Sequence, residues 1–433
     1  MLKSLKRLFF REKKTVLIAW ELGGGMGHVY RLLPIAKALQ ARGHEIVFAL
    51  RTSAASTALV DKFPNAVFLQ APYFGQGSGI RPPGVGAFTG PAVHYADVLY
   101  RCGYDTAAHL ESLVKRWRQI FERVNPSVVV CDFSPTTVLA AAGRIPVVHI
   151  GSGFATPPAG KPFLHLSPSS RSGAKDREAR VFDVIQQVSG SLGVPSLNSV
   201  SDLLGFAENF SCTLPELDPY RTVRPEPAIG PMQSLPAPSP IPDEKFLFGY
   251  LDGDAPGLPR ILSNLVKAKV PAGIFVRGST LEHEELVRST TVTIYPEPQA
   301  LGEVLRSASG FLHHGGLGST ETALAIGRPQ FFLPKHLEQV LTVNAVVKSG
   351  CGANLAGKNF DLGEAIQEAM KKETYQSSTL RMAEHLAKRR PFGVIQKVVN
   401  AAVRHMGELS DKQTQESSPY QALDSSMAQV VKP

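Results

Sequence analysis

Two glycine loops, each following an apolar run, hold the residues best suited to chemistry. The first reads Glu21-Leu-Gly-Gly-Gly-Met-Gly-His28 after Thr15–Trp20. Glycines let a backbone approach a ligand closely, and a neutral imidazole titrates in the range needed to take a proton from a hydroxyl, so His28 is the candidate general base. Asp132 ends a second apolar run, Val128–Asp132. From there it could bond the far ring nitrogen, fix the tautomer and stabilise the imidazolium. The second loop is His313-His314-Gly315-Gly316-Leu317-Gly318-Ser319-Thr320-Glu321-Thr322, again after an apolar run and opening into a helical pattern that Gly327 and Pro329 end. Backbone N–H groups at a helix start, with the hydroxyls of Ser319 and Thr320, would make an anion site suited to a pyrophosphate, and His314 could add a donor. A glycine turn with an N-capping serine explains such segments more often than not when they occur singly. Here there are two, one in each half of the chain.

The elements that must position these loops follow an α/β alternation. Thr15–Trp20, the glycine loop, a helical pattern over 29–42, Gly43 as its stop and the run Glu45–Leu50 form one βαβ unit. Val128–Asp132 and 146–150 continue the same parallel sheet. A second alternation runs through 246–251, 273–277, Val292–Tyr295 and Gly310–His313. A nicotinamide dinucleotide site is disfavoured. The G-x-G-x-x-G pattern from Gly23 needs glycine where His28 stands, and Arg51 follows the second strand where a ribose-binding acid would be required. Asp252-Gly253-Asp254 has the D-x-D form of some metal sites, but before Pro256 it is expected to build a turn; no metal is expected.

The chain has 433 residues, 43% of them hydrophobic and 19% charged, which excludes global disorder and a polytopic membrane protein and makes two domains the simplest reading. Met1 to Lys14 carries six cations against Glu12, five of the nine net positive charges. The remainder is spread thinly, so no nucleic-acid partner is expected. The leader also holds Leu2, Leu5, Leu8, Phe9 and Phe10, a pattern that could lie on an anionic membrane surface. Cys102, Cys131, Cys212 and Cys351 are far apart with no C-x-x-C pair, and no apolar stretch suits export or a membrane span, so a cytoplasmic setting is expected, with peripheral membrane contact through 1–14. The expected domains are the leader 1–14, an N-terminal domain 15–230, a Pro-rich linker 231–244, a C-terminal domain 245–406 and a disordered tail 407–433.

With these motifs in hand, the chain resembles the inverting nucleotide-sugar glycosyltransferases of the GT-B fold, among them the UDP-glucuronosyltransferases, the plant glucosyltransferases and the macrolide glycosyltransferases. The donor signature is carried by Pro298-Gln299, His314-Gly315-Gly316 with Ser319, Gly327-Arg328-Pro329, Glu338-Gln339 and Asn344-Ala345. In the first half, Gly27-His28, Arg42-Gly43-His44-Glu45 and Ile229-Gly230-Pro231 match. The resemblance implies two facing Rossmann-like domains with an interdomain cleft, the acceptor in the N-terminal half and a UDP- or dTDP-sugar donor in the C-terminal half. It implies His28 and Asp132 as the catalytic pair. It further implies His314 on the donor phosphate, Gly316, Gly318, Ser319 and Thr320 around the pyrophosphate, Gln299 on the base, and Glu338 with Gln339 on the sugar hydroxyls. Pro296 stands where many members have a base-stacking tryptophan, and Glu321 stands one residue before the position of the ribose-binding acid, where Thr322 lies. Which of those two residues faces the ribose is open, as is the base. The expected activity is metal-independent, cofactor-free transfer of a sugar to a hydroxyl acceptor with inversion. The alternatives are an epimerase or hydrolase of the same fold and a non-catalytic sugar-nucleotide-binding subunit.

Overall fold

A computed structural model describes residues 13–74, 92–164, 173–255, 257–357, 361–389 and 393–407. Nearly all of the leader and the tail beyond 407, with the expectations placed on them, lie outside the described residues.

Two parallel six-stranded sheets organise the chain. The first contains β1 (Thr15–Trp20), β2 (Glu45–Leu50), β3 (Val67–Gln70), β4 (Val128–Asp132), β5 (Val147–Gly151) and β6 (Glu208–Ser211), in the order β3-β2-β1-β4-β5-β6. The second contains β7 (Leu247–Asp252), β8 (Ala272–Arg277), β9 (Val292–Tyr295), β10 (Gly310–His313), β11 (Gln330–Phe332) and β12 (Gly352–Asn354), in the order β12-β11-β10-β7-β8-β9. Strands covered by helices on both faces read as continuous apolar runs, and TVLIAW and VVVCD are of this kind. In each sheet the direction of winding reverses between two central strands, β1 and β4 in the first and β7 and β10 in the second. Register places Trp20 opposite Asp132 and Tyr250 opposite His313. Both glycine loops therefore leave the carboxyl ends of strands at a switch point, where open α/β sheets bind ligands.

Two segments bear on the expected domain division. The helix Val394–His405, assigned above to the C-terminal domain, buries Val394, Val398, Val399 and Ala402 with Val16, Ile18, Leu32 and Ile35 in the N-terminal core. Arg404 and His405 also meet Glu208 on β6, at 2.6 and 2.8 Å. An amphipathic pattern shows that a helix needs an apolar partner but not which domain supplies it. The Pro-rich linker, for its part, is docked on the C-terminal domain. Arg328, wholly buried, donates to the carbonyls of Ser239 at 2.9 Å and Pro240 at 2.7 Å as well as to Leu305 at 2.7 Å. Burial pulls its pKa down to about 10, and the ring of carbonyls supplies its hydrogen bonds.

Candidate active site

Glu21 anchors the first loop from below. Its fully buried carboxylate accepts the N–H groups of Thr136 and Thr137 at 3.0 and 3.1 Å and the Thr136 hydroxyl. Burial pushes this carboxyl up to about 7 despite those bonds. The Trp20 indole donates to Leu22 O at 2.6 Å, and Leu22 N donates to Phe133 O at 3.0 Å, so the loop is tied to both central strands. Gly23 has φ +84°, and a Cβ there would collide with His28 Nε2 and lie 2.8 Å from Cε1. His28, in the first turn of the helix Gly27–Ala41, stacks on Trp20 with ring centroids 5.2 Å apart.

Asp132 lies beneath His28, with Oδ1 3.2 Å from Nδ1, and is fully buried. The pair expected from sequence is therefore adjacent in space. It is also incomplete. Arg31, one helical turn after His28, donates through Nε to Asp132 Oδ2 at 2.7 Å and through Nη2 to Oδ1 at 3.2 Å, and Nη2 also lies 2.9 Å from His28 Nδ1. Burial alone would raise the Asp132 carboxyl; the charges of Arg31 and His28 hold it below its ordinary value. The i, i+3 spacing of His28 and Arg31 on one helix was the sequence signal for this third member.

In the C-terminal half, His314 is committed to the main chain. Its Nδ1 donates to Leu333 O at 2.8 Å, and its Nε2 accepts the Asp252 N–H at 3.0 Å. Burial lowers its pKa, and main-chain groups engage both ring nitrogens. His314→Ala is accordingly expected to cost about 1–3 kcal/mol of stability through two orphaned backbone groups, seen as a lower unfolding midpoint in denaturant. An unchanged midpoint contradicts this placement.

The helix Leu317–Ile326 starts at Gly316, and the N–H groups of its first turn have no acceptor within the helix. Thr320 and Thr322 turn their hydroxyls back to Gly316 O and Gly318 O, each at 2.9 Å. The Thr320 hydroxyl expected at the pyrophosphate is thus occupied. Gln233, unremarked in the sequence, donates to Gly318 O at 2.7 Å.

Glu321 is buried and turned toward the N-terminal half, accepting from Thr213 Oγ1 at 3.2 Å and Leu214 N at 3.1 Å, and burial pushes its carboxyl up to about 7. An acid whose folded pKa lies above its unfolded value of 4.5 stabilises the fold below about 4.5, and that contribution is lost as pH rises through about 7. The loss is on the order of 3 kcal/mol. Glu321→Gln is therefore expected to raise Tm at pH 8 relative to pH 5 and to flatten the pH dependence of Tm across that window. A slope identical to that of the parent protein would overturn this account.

Glu338 accepts a short hydrogen bond from Ser152 at the end of β5, which ties the two halves together across the cleft. Gln339 Oε1 accepts the Lys335 N–H at 2.7 Å. Gln299 is half-buried, donates to Glu297 O at 2.9 Å and is outside the cleft lining. Asp252 and Asp254 are held by cations: Arg277 is 2.6 Å from Asp252, and Lys335 lies 3.0 and 2.9 Å from Asp252 and Asp254. Among the described residues no group of three or more His, Cys, Asp or Glu side chains could hold a metal.

A cleft of 560 Å³ opens between the halves. It brings together His28, Gly316, Gly318, Glu321, Glu338 and Gln339, with Asp132 directly behind His28. His314, Ser319 and Thr320 lie outside its lining. Arg31 and His336, neither singled out in the sequence, join it, and an apolar wall of Ala92, Val98, Phe133, Phe154 and Met232 closes it on the N-terminal side.

Residues 269–401 match the family described as Erythromycin biosynthesis protein CIII-like, C-terminal domain. The chain is 24% identical over 342 residues to the elloramycin glycosyltransferase ElmGT of Streptomyces olivaceus, an alignment covering 76% of this chain and 84% of that protein. The calicheamicin glycosyltransferase CalG4 superposes with a TM-score of 0.64 at 18% identity over 92% of this chain and all of that one. The glycosyltransferase VinC, solved in complex with dTDP, superposes with a TM-score of 0.55 at 16% identity over 90% of this chain and all of that one. Among the described residues no helix is long and apolar enough to cross a membrane. The chain thus has the two-domain GT-B fold of the antibiotic glycosyltransferases it is similar to, and its residues 269–401 are similar to the EryCIII-like C-terminal domain.

Proposed function

We propose that this glycosyltransferase moves a sugar from a nucleoside diphosphate donor to a hydroxyl acceptor with inversion and without a metal ion. The observation that carries the reading is the facing of two switch points across one cleft, His28 over Asp132 on one side and the free N–H groups at Gly316–Gly318 on the other. In this scheme His28 Nε2 takes the acceptor hydroxyl proton while that oxygen bonds the anomeric carbon. The bond from that carbon to the diphosphate breaks, and the diphosphate leaves with the electron pair. Helix-terminal N–H groups would stabilise the departing charge in place of a metal. Glu338 and Gln339, which line the cleft, would hold sugar hydroxyls. Arg277 and Lys335 already neutralise Asp252 and Asp254, which supports metal-independent transfer. That VinC was solved with dTDP favours a dTDP- or UDP-linked donor. The apolar wall favours a hydroxyl carried on a largely apolar body.

The test is thermal stabilisation by UDP, dTDP and their sugar conjugates in EDTA, followed by NMR assignment of the product anomer. Retention of configuration, or stabilisation only with added metal, would overturn the scheme.

A further inference from the structure

One ring nitrogen of His28 is claimed by two neighbours of opposite demand. A neutral imidazole carries its proton on one nitrogen and a lone pair on the other, whereas a guanidinium has only protons to offer. Arg31 Nη2 lies 2.9 Å from Nδ1 in hydrogen-bond geometry, and Asp132 Oδ1 lies 3.2 Å from the same atom. Asp132 does not require the histidine, since Arg31 already donates to both of its oxygens, at 2.7 and 3.2 Å. The two protons of Nη2 can serve Oδ1 and Nδ1 together. That arrangement satisfies all three side chains only when Nδ1 is unprotonated, which puts the ring proton on Nε2. In that form His28 can donate from Nε2 but cannot accept a proton there.

Arg31, like His28, faces the ligand space. Its side chain is 16% exposed, it lines the same cleft as Gly316 and Gly318, and it feels the charge of Glu338 from the other domain. We propose that Arg31 is a positioning residue that holds His28 in the Nε2–H tautomer while the cleft is empty, and that a bound nucleoside diphosphate draws Nη2 off Nδ1, so that Nδ1–H turns to Asp132 and Nε2 becomes a base. The base is then armed only when a donor is present. A water entering an unliganded cleft meets a ring nitrogen that already holds its proton. The inference rests on the reading of His28 as the base, but the tautomer can be observed without turnover.

The experiment is ¹⁵N NMR of the imidazole nitrogens in histidine-labelled protein above the ordinary imidazole titration range (pKa ~6.5), with His28 assigned by the signal lost in His28→Gln. In the unliganded parent protein Nδ1 is expected to be unprotonated and Nε2 protonated; saturating dTDP or UDP reverses this. Arg31→Lys, whose single ammonium cannot replace the guanidinium fork, should show protonated Nδ1 without nucleotide. A protonated Nδ1 in the unliganded parent protein, or a tautomer unmoved by either nucleotide, overturns the proposal. If the tautomer switches as expected while His28→Ala retains full transfer, the gate stands and the assignment of the base fails.

Discussion

His28→Ala is expected to lower the rate of sugar transfer by roughly 10²–10⁴-fold, the usual contribution of a positioned general base, while affinity for a nucleoside diphosphate is preserved. The separation of the two effects follows from the architecture. His28 belongs to the N-terminal sheet's switch point, and the free helix N–H groups proposed for the diphosphate belong to the C-terminal one. Asp132→Asn is expected to cost less, because the imidazole survives and loses only its partner. The double variant should be no slower than His28→Ala, since the carboxylate acts through the ring. Asp132 is also the double hydrogen-bond partner of Arg31, so Asp132→Asn should lower stability as well; rates must be compared at a temperature where circular dichroism shows both variants folded. Losses that multiply in the double variant, or near-full transfer by His28→Ala, would remove the pair from the mechanism.

Much of this site was legible in the sequence because strand, glycine loop and helix occur in an order that physics makes recognisable. An apolar run buried on both faces needs no partner residue to be identified, so β1, β2, β4 and β10 fall on the expected residues, and the half-buried edge strand β9 does as well. The short strands β3, β6, β11 and β12 carry no such run: VFLQ and ENFS read as half-exposed segments, and QFF and GAN are three residues each. Their strand character comes from the sheet edge or neighbour they join.

The same limit separates the site residues. His28, Asp132, Gly316 and Glu338 could be placed from their positions at strand and helix ends. What their side chains bond to could not. His314 has a donor and an acceptor in every environment, and only the path of Leu333 and Asp252 past the ring shows that both are taken by the backbone. Glu321 is turned onto Thr213 and Leu214 of the N-terminal half, contacts that its place in the sequence does not reveal. Arg31 was visible in the one-turn spacing from His28, yet its meaning depends on Asp132, 101 residues away in the chain.

The geometry also makes a glycine decisive for a histidine. At Gly23, φ of +84° is strained for an L residue, and an added methyl would occupy the space of His28 Nε2, the nitrogen proposed to receive the acceptor proton. Away from the cleft the imidazole is restrained. Trp20 stacks on one face, Phe133 lies 6.1 Å away by ring centroid, and Asp132 with Arg31 holds Nδ1. Gly23→Ala must therefore displace either the loop or the ring, and a shift of about 1 Å in a reacting group can cost on the order of 10²-fold in rate. The expected result is a loss of that size in kcat with nucleotide affinity retained, because the N–H groups proposed for the diphosphate, at Gly316–Gly318, belong to the C-terminal half. Gly24→Ala is the internal control. A Cβ there meets nothing within 4 Å, and Gly24 lacks the positive φ of its neighbours, so transfer should stay within a few-fold of the parent protein. If the two variants lose activity equally, the loop acts through its overall flexibility and the steric argument at Nε2 is wrong. If Gly23→Ala alone loses nucleotide binding, the loop contacts the donor and the division of the cleft between its two walls has to be redrawn.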